Sequence, residues 1–169
     1  MLRTLSLVLF ACLALAGCTR SADPLDWKIE ADDINELQGW FDRNLALMPD
    51  DLAREVLLSV NNIRASTHAG SLADPIAKAN HLAHRLNGHT IRSVLIDGNE
   101  AGVRMLEARI QNGYDALQSM AKADDNLSGE QRVQWQAQGK RLRDYQDTMK
   151  QTLEKAYRRL AELRASPAK

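Results

Sequence analysis

Residues 129–165 read GEQRVQWQAQGKRLRDYQDTMKQTLEKAYRRLAELRA, a run that meets no proline until Pro167. Trp135, Leu142, Tyr145, Met149, Ala156, Leu160 and Leu163 recur at heptad-like spacing within it, with Gln138 and Thr152 as polar interruptions of the stripe. The spacing predicts one continuous helix, roughly 55 Å long at 1.5 Å per residue. Everything N-terminal to it is read by asking what such a helix lies against.

The segment from Thr90 to Ala123 is nearly as long and places Leu95, Gly98, Gly102, Leu106, Ile110, Leu117 and Ala121 at helical spacing, with bends expected near Asp97-Gly98 and Asn112-Gly113. Asp124-Asp125-Asn126 is a turn, and Ser128 with Gln131 three later is a capping box. The two segments, about 90–123 and 129–165, are therefore expected to form a long antiparallel helix pair. Shorter helices pack on it. Asp33 and Glu36 form a capping box for a helix at about 33–47, with Ile34, Leu37, Phe41, Leu45 and Met48 on one face. Pro49, Asp50 and Asp51 suit the first turn of a helix at about 50–65, striped by Leu52, Val56, Val60 and Ile63 and ended by Ser66 to Ser71. Asp74-Pro75 opens a third, about 75–86, which turns Ile76, Ala79, Leu82, Ala83 and Leu86 inward and stops at Asn87-Gly88. Alternating apolar and polar runs bounded by turns are absent and aromatics make up 5%, so no strand is expected. The fold class is all-α, an elongated helical bundle over residues 27–166.

The chain has 169 residues, 44% of them hydrophobic, with 22 Lys and Arg against 22 Asp and Glu. The apolar content excludes a disordered polymer, and zero net charge argues against a nucleic-acid binder, whose footprint is a basic excess.

The first seventeen residues differ from the rest. Arg3 gives a positive start and Leu5 to Ala16 an apolar stretch too short to span a bilayer, which needs about 20 residues, so residues 1–17 read as an export signal. Leu15-Ala16-Gly17-Cys18 resembles the lipobox of bacterial lipoproteins, where a peptidase cleaves before a Cys whose thiol carries diacylglycerol. The resemblance covers the signal alone. It implies lipidation at Cys18, a membrane anchor through that lipid, and, since Thr19 stands where an Asp would retain the protein in the inner membrane, an outer-membrane, periplasm-facing location. Cys12 leaves with the signal, so the mature chain has no free thiol and no disulfide. Residues 18–26 are then the lipidated N-terminus and tether, and Thr19 to Asp26 reach at most roughly 28 Å extended.

Charge is uneven along the mature chain. Residues 23–60 hold ten acids and three bases, residues 61–127 seven of each, and residues 128–169 five acids and ten bases. The favoured account is intramolecular, with acidic helices along a basic one and local pairs such as Glu154 with Arg158. The alternative is that Arg158, Arg159, Arg164 and Lys169 meet anionic headgroups.

Catalytic signatures are missing: no Gly-x-Ser-x-Gly, Walker loop, dinucleotide glycine cluster or haem-attachment motif occurs. His68, His81, His84 and His89 cluster in the sequence, and His81 with His84 has a spacing a metal site can use. On a helical wheel both point away from the apolar face, toward solvent. Gly98 and Gly102 are small residues one turn apart, suited to close helix approach, and Asn87-Gly88-His89-Thr90 is a helix-stop, helix-start connector. Met48, Met105, Met120, Met149 and Trp135 are read as core.

Three functions follow in order of preference. The first is a non-enzymatic interaction or scaffold module in the cell envelope, without a cofactor, meeting an envelope or periplasmic protein, or a second copy through the 129–165 helix, on apolar surface that shorter helices cannot cover. The second is a carrier or sensor of an apolar ligand held between helices. The third is a metal-binding protein using His81 and His84.

Overall fold

The computed structural model describes residues 23–67, 74–123 and 127–165. Among the described residues there are five α-helices: α1 (Ile34–Asn44), α2 (Asp50–Ser66), α3 (Pro75–Leu86), α4 (Ile91–Ala123) and α5 (Gly129–Ala165). The architecture is the expected all-α bundle, with α4 and α5 as its long antiparallel pair. Antiparallel pairing follows from the side chains that bridge them. Trp135 lies beside Met120, Gln146 beside Ile110, Tyr157 beside Glu107 and Arg164 beside Glu100.

Helix starts form where side chains can satisfy the free N–H groups of a first turn. Asp33 Oδ1 accepts from the N–H groups of Asn35 and Glu36 at 2.7 and 2.9 Å, while Glu36 reaches back to the N–H of Asp32. Asp74 caps α3 through Ile76 N–H at 2.9 Å, and Thr90 caps α4 through Ser93 N–H at 3.2 Å. At α5, Gln131 Oε1 accepts from both the backbone N–H and the hydroxyl of Ser128.

The short helices gather around one end of the hairpin and make a head. α2 packs on the first half of α4, and α1 on α3. Leu37, Trp40, Val56, Ile63, Leu82, Leu86, Ile91, Val94, Leu95 and Leu163 close a common core. Gly98 makes the α2–α4 contact: a Cβ there would strike the Cβ and backbone of Ser59, itself buried, and Gly102 lies against Asn62. The small residues permit the close helix approach expected of them.

An extended strap, which the sequence leaves without an element, crosses the head. Ile29 N–H donates to His89 O at 2.9 Å, Gly88 N–H to Ile29 O at 2.8 Å and Ile91 N–H to Trp27 O at 2.9 Å, a single antiparallel bridge between Lys28 and Thr90. Gly88 makes the turn possible at φ 77°, in the region that favours glycine. Ile29 is completely buried and Ala31 nearly so. Trp40 Nε1–H fastens the strap by donating to Lys28 O at 3.0 Å.

Residues 23–26, expected to lie in a tether of residues 18–26, are folded onto the head. Asp23 caps a 3-10 turn at Pro24–Asp26, and the Asp23 and Asp26 carboxylates each lie 3.7 Å from Arg92 Nη2, a guanidinium only 12% exposed at the start of α4. Two acids compensate a cation set at the positive end of a helix dipole, so these residues belong to the head. α4 runs as one helix through Gly98 and Gly113, where bends were expected; Gly98 lies against the Cβ and backbone of Ser59 and Gly113 against the Gln146 side chain. The first helix ends at Asn44, followed by a 3-10 turn at Leu45–Leu47.

The stripe of α5 keeps six of its seven expected residues inward and loses only Tyr145. Its inward residues are Trp135, Gly139, Leu142, Gln146, Met149, Leu153, Ala156, Leu160 and Leu163, alternating by four and three, while Tyr145, Gln138 and Thr152 are exposed. That is a strict heptad seam. Among the described residues no helix is long and apolar enough to cross a membrane.

Candidate functional site

The residues singled out from the sequence scatter. Residues 1–17, Cys18, His68, the 124–126 turn and Lys169 lie outside the described residues. His81 and His84 are exposed on α3, as the wheel predicts, and His89 is exposed with Nδ1 3.4 Å from Ser93 Oγ. Among the described residues no three His, Cys, Asp or Glu side chains are grouped as a metal site requires. Asn87, the other polar residue of the connector, is occupied within the head: its Oδ1 accepts from Ala31 N–H at 3.2 Å and its Nδ2 donates to Asp32 at 2.6 Å. A groove of about 610 Å³ opens beside it, lined by Glu30, Asp32, Glu36 and Arg43. Asp32 and Glu36 already serve turn and cap there.

Beyond the head, α4 and α5 continue as a two-helix arm, residues 111–123 and 129–146, with only each other to pack on among the described residues. Its seam is thin. Gly113 and Gly139 face inward, Gln146 is 2% exposed and donates to Ile110 O at 3.0 Å, and Leu117, Met120, Trp135 and Leu142 are half-buried. Trp135 Nε1–H donates to Met120 O at 3.0 Å, which fixes the indole across the seam with its ring faces available to either side.

A groove opens on each side of that indole. One, of about 430 Å³, is lined by Ala116, Met120, Trp135, Gln138, Arg141, Leu142 and Tyr145; its exposed surface is almost wholly apolar. The other, of about 140 Å³, is lined by Leu117, Met120, Ala121, Trp135, Gln136, Gly139 and Arg143. Tyr145, Val133 and Tyr114 add exposed apolar surface at 53%, 68% and 44%. Apolar surface in a concavity, with an aromatic anchor and a polar rim, is the composition of a protein-binding patch.

The cations divide along α5. At the head end Arg159 makes a bidentate pair with Glu55 of α2, 2.8 Å on both arms, and Arg164 meets Glu100 at 2.6 Å. The hydrogen bonds to Glu55 hold the Arg159 guanidinium still more firmly charged than usual. Arg159 therefore serves an acidic helix, in keeping with the intramolecular account of the charge asymmetry, while Arg164 serves α4. In the arm Lys140 pairs with Asp144 at 2.8 Å and, at its base, Lys150 with Asp147 at 3.2 Å, its ammonium also 5.3 Å from the Tyr114 ring centroid. Arg141 and Arg143, at the groove rims, have no ion pair among the described residues.

Trp135 and Met120, expected in the core, are half-buried and line the grooves. The apolar surface that the helix lengths lead one to expect, with 37 residues beside short helices of 11 to 17, lies at this end of the seam. Comparison of the chain with protein-family models, with curated proteins and with solved structures finds no match.

Proposed function

We propose that this protein is a membrane-anchored periplasmic lipoprotein, held by lipid on Cys18, that works as a non-enzymatic interaction module of the cell envelope and meets its partner through the α4–α5 arm. The observation that carries the reading is the pair of grooves flanking Trp135, apolar surface that the fold itself does not bury. The lipobox resemblance supplies the anchor, and the position of Asp23 beside Arg92 sets where it leaves the fold, at the head end of α4. From Arg92 to Ala123 the helix extends about 46 Å. An anchored head can thus present a site well away from its point of attachment.

The test is photo-crosslinking in cells. A benzophenone side chain at Tyr145, in the arm, is expected to give a discrete protein adduct, and the same group at Asp42, on the head, to give none. Adducts of equal yield at both positions, or at neither, defeat the arm as the site. Radiolabelled palmitate incorporated by the natural chain and lost in Cys18→Ser tests the anchor separately.

A further inference from the structure

The grooves carry information about what fills them. Both are bounded by α5, and the side chains that α5 places at their rims are Arg141 on one and Arg143 on the other. The nearby acids are engaged: Asp144 with Lys140, Asp147 with Lys150, and Asp115 as acceptor of Gln111 at 3.0 Å. The head-end arginines show what this chain does with a cation it needs for its own fold, since Arg159 and Arg164 each have a carboxylate at hydrogen-bond distance. Arg141 and Arg143, like Arg158 nearer the head, are the same residue type on the same helix with no paired acid among the described residues.

We infer that the larger groove of the arm binds an acidic amphipathic helix, whose apolar face seats against Trp135, Met120 and Leu142 and whose carboxylates pair with Arg141. Two parallel ridges with a groove between them offer a third helix the same packing that α4 and α5 offer each other. Arginine forks bind carboxylates bidentately, and Glu55 with Arg159 shows that geometry within the fold. The arm of a second copy fits the surface less well, because it brings the same two arginines and the acids Asp144, Asp147 and Asp115 that are already engaged. The inference rests on the arm being the interaction site and adds the chemistry of the partner.

The experiment uses the lipid-free mature chain and two synthetic peptides of roughly five helical turns, about 18 residues. They share one Leu and Ala face; the other face is glutamate in the first and lysine in the second. The glutamate peptide is expected to bind at least tenfold tighter by fluorescence anisotropy, to weaken as salt rises, and to quench or shift Trp135 emission, identified by its loss in Trp135→Phe. In the double variant R141E/R143E, whose changed side chains are solvent-exposed, the preference is expected to reverse toward the lysine peptide. Equal affinity for the two peptides, no binding of either, or a preference unmoved in the double variant overturns the inference. So does sedimentation showing an arm-mediated dimer that excludes the peptide. If Tyr145 still captures a protein in cells while the glutamate peptide fails, the acidic chemistry is wrong and the arm stands. If both fail, the arm falls with it.

Discussion

At Gly98, α4 presses on the Cβ and backbone of Ser59; at Gly113, about four turns further along the same helix, it meets only the side-chain amide of Gln146. The two sites have the same residue in the same secondary structure, and their surroundings differ in kind. In the head, α4 is enclosed by α2 and α5 and by the strap through Ile29, so its neighbours are fixed by neighbours of their own. In the arm, α4 has one companion and water. The difference teaches where this fold's stability resides and where surface is left over for something else. A buried residue in a close-packed head has nowhere to relax, whereas a seam two helices wide relaxes toward solvent.

The largest test of that contrast is Leu95→Ala against Leu117→Ala. Leu95 is fully buried in the head and Leu117 half-buried in the arm. The first is expected to cost about 3 to 4 kcal/mol and the second about 1 kcal/mol in urea unfolding. The second should instead accelerate amide hydrogen exchange in 111–146 while leaving the head's slow amides unchanged. Equal costs, or arm amides as protected as those of 91–101, would break the distinction between the two regions.

The glycines sharpen it further. Alanine gains about 1 kcal/mol of helix propensity at either site, so what remains is the neighbour's ability to yield. At Gly98 that neighbour is Ser59 backbone, which can move only with α2, and Gly98→Ala is expected to destabilise by about 2 kcal/mol net. At Gly113 the Gln146 amide can swing out, giving up its bond to Ile110 O at a cost of about 1 kcal/mol, so that Gly113→Ala comes out near neutral. Chemical denaturation of both variants settles the order. Gly129, with no atom near its missing Cβ, provides the reference.

The arginines extend the contrast to charge. Arg159→Gln removes a bidentate, partly buried pair and leaves Glu55 without its partner, an expected loss of about 1 kcal/mol. Arg141→Gln should change stability by less than about 0.5 kcal/mol, since no internal partner is lost. If the two cost the same, Arg141 has a structural duty and is not held in reserve for a partner.

What the sequence disclosed and what it concealed follow the same division. Helix identities, the long hairpin, the Asp33, Asp74, Thr90 and Ser128 starts and the outward His81 and His84 were legible because each depends on local chemistry or on a 3.6-residue period. The strap was not, since Ile29 is a lone apolar residue in an extended segment and has no period to announce its burial. The seam of α5 was legible at six of its expected residues and not at Gly139 and Gln146, which carry no hydrophobic signal, while Tyr145 carries one and faces water. A period is read from residue type, and in the thin arm backbone contact and an amide hydrogen bond replace apolar side chains at the places that matter. Uncovered apolar surface on the last helix was legible from helix lengths, but the residues that line the grooves were not. Half-burial is a property of how far the companion helices extend, which no single segment records.

The smallest effect lies where head and arm meet and concerns pH. Tyr157 of α5 donates its hydroxyl proton to Glu107 of α4, and ionising it would set a phenolate beside a carboxylate. That hydrogen bond, followed by burial and the charge of Glu107, raises its pKa above the ordinary 10.0. Because the folded value exceeds the unfolded one, the pair's contribution to stability is whole below pH 10.0 and is lost as pH rises through the raised folded value. Lys150 adds a loss of the same sign, since hydrogen bonding to Tyr114 and then to Asp147 raises it from 10.5. Melting temperature should therefore fall across this alkaline range in the natural chain, less steeply in Tyr157→Phe, and less still when Lys150→Met is added. A fall undiminished by Tyr157→Phe would mean that the hydroxyl does not hold the helices together at that point, and the head would then end closer to Arg159 than to Tyr157.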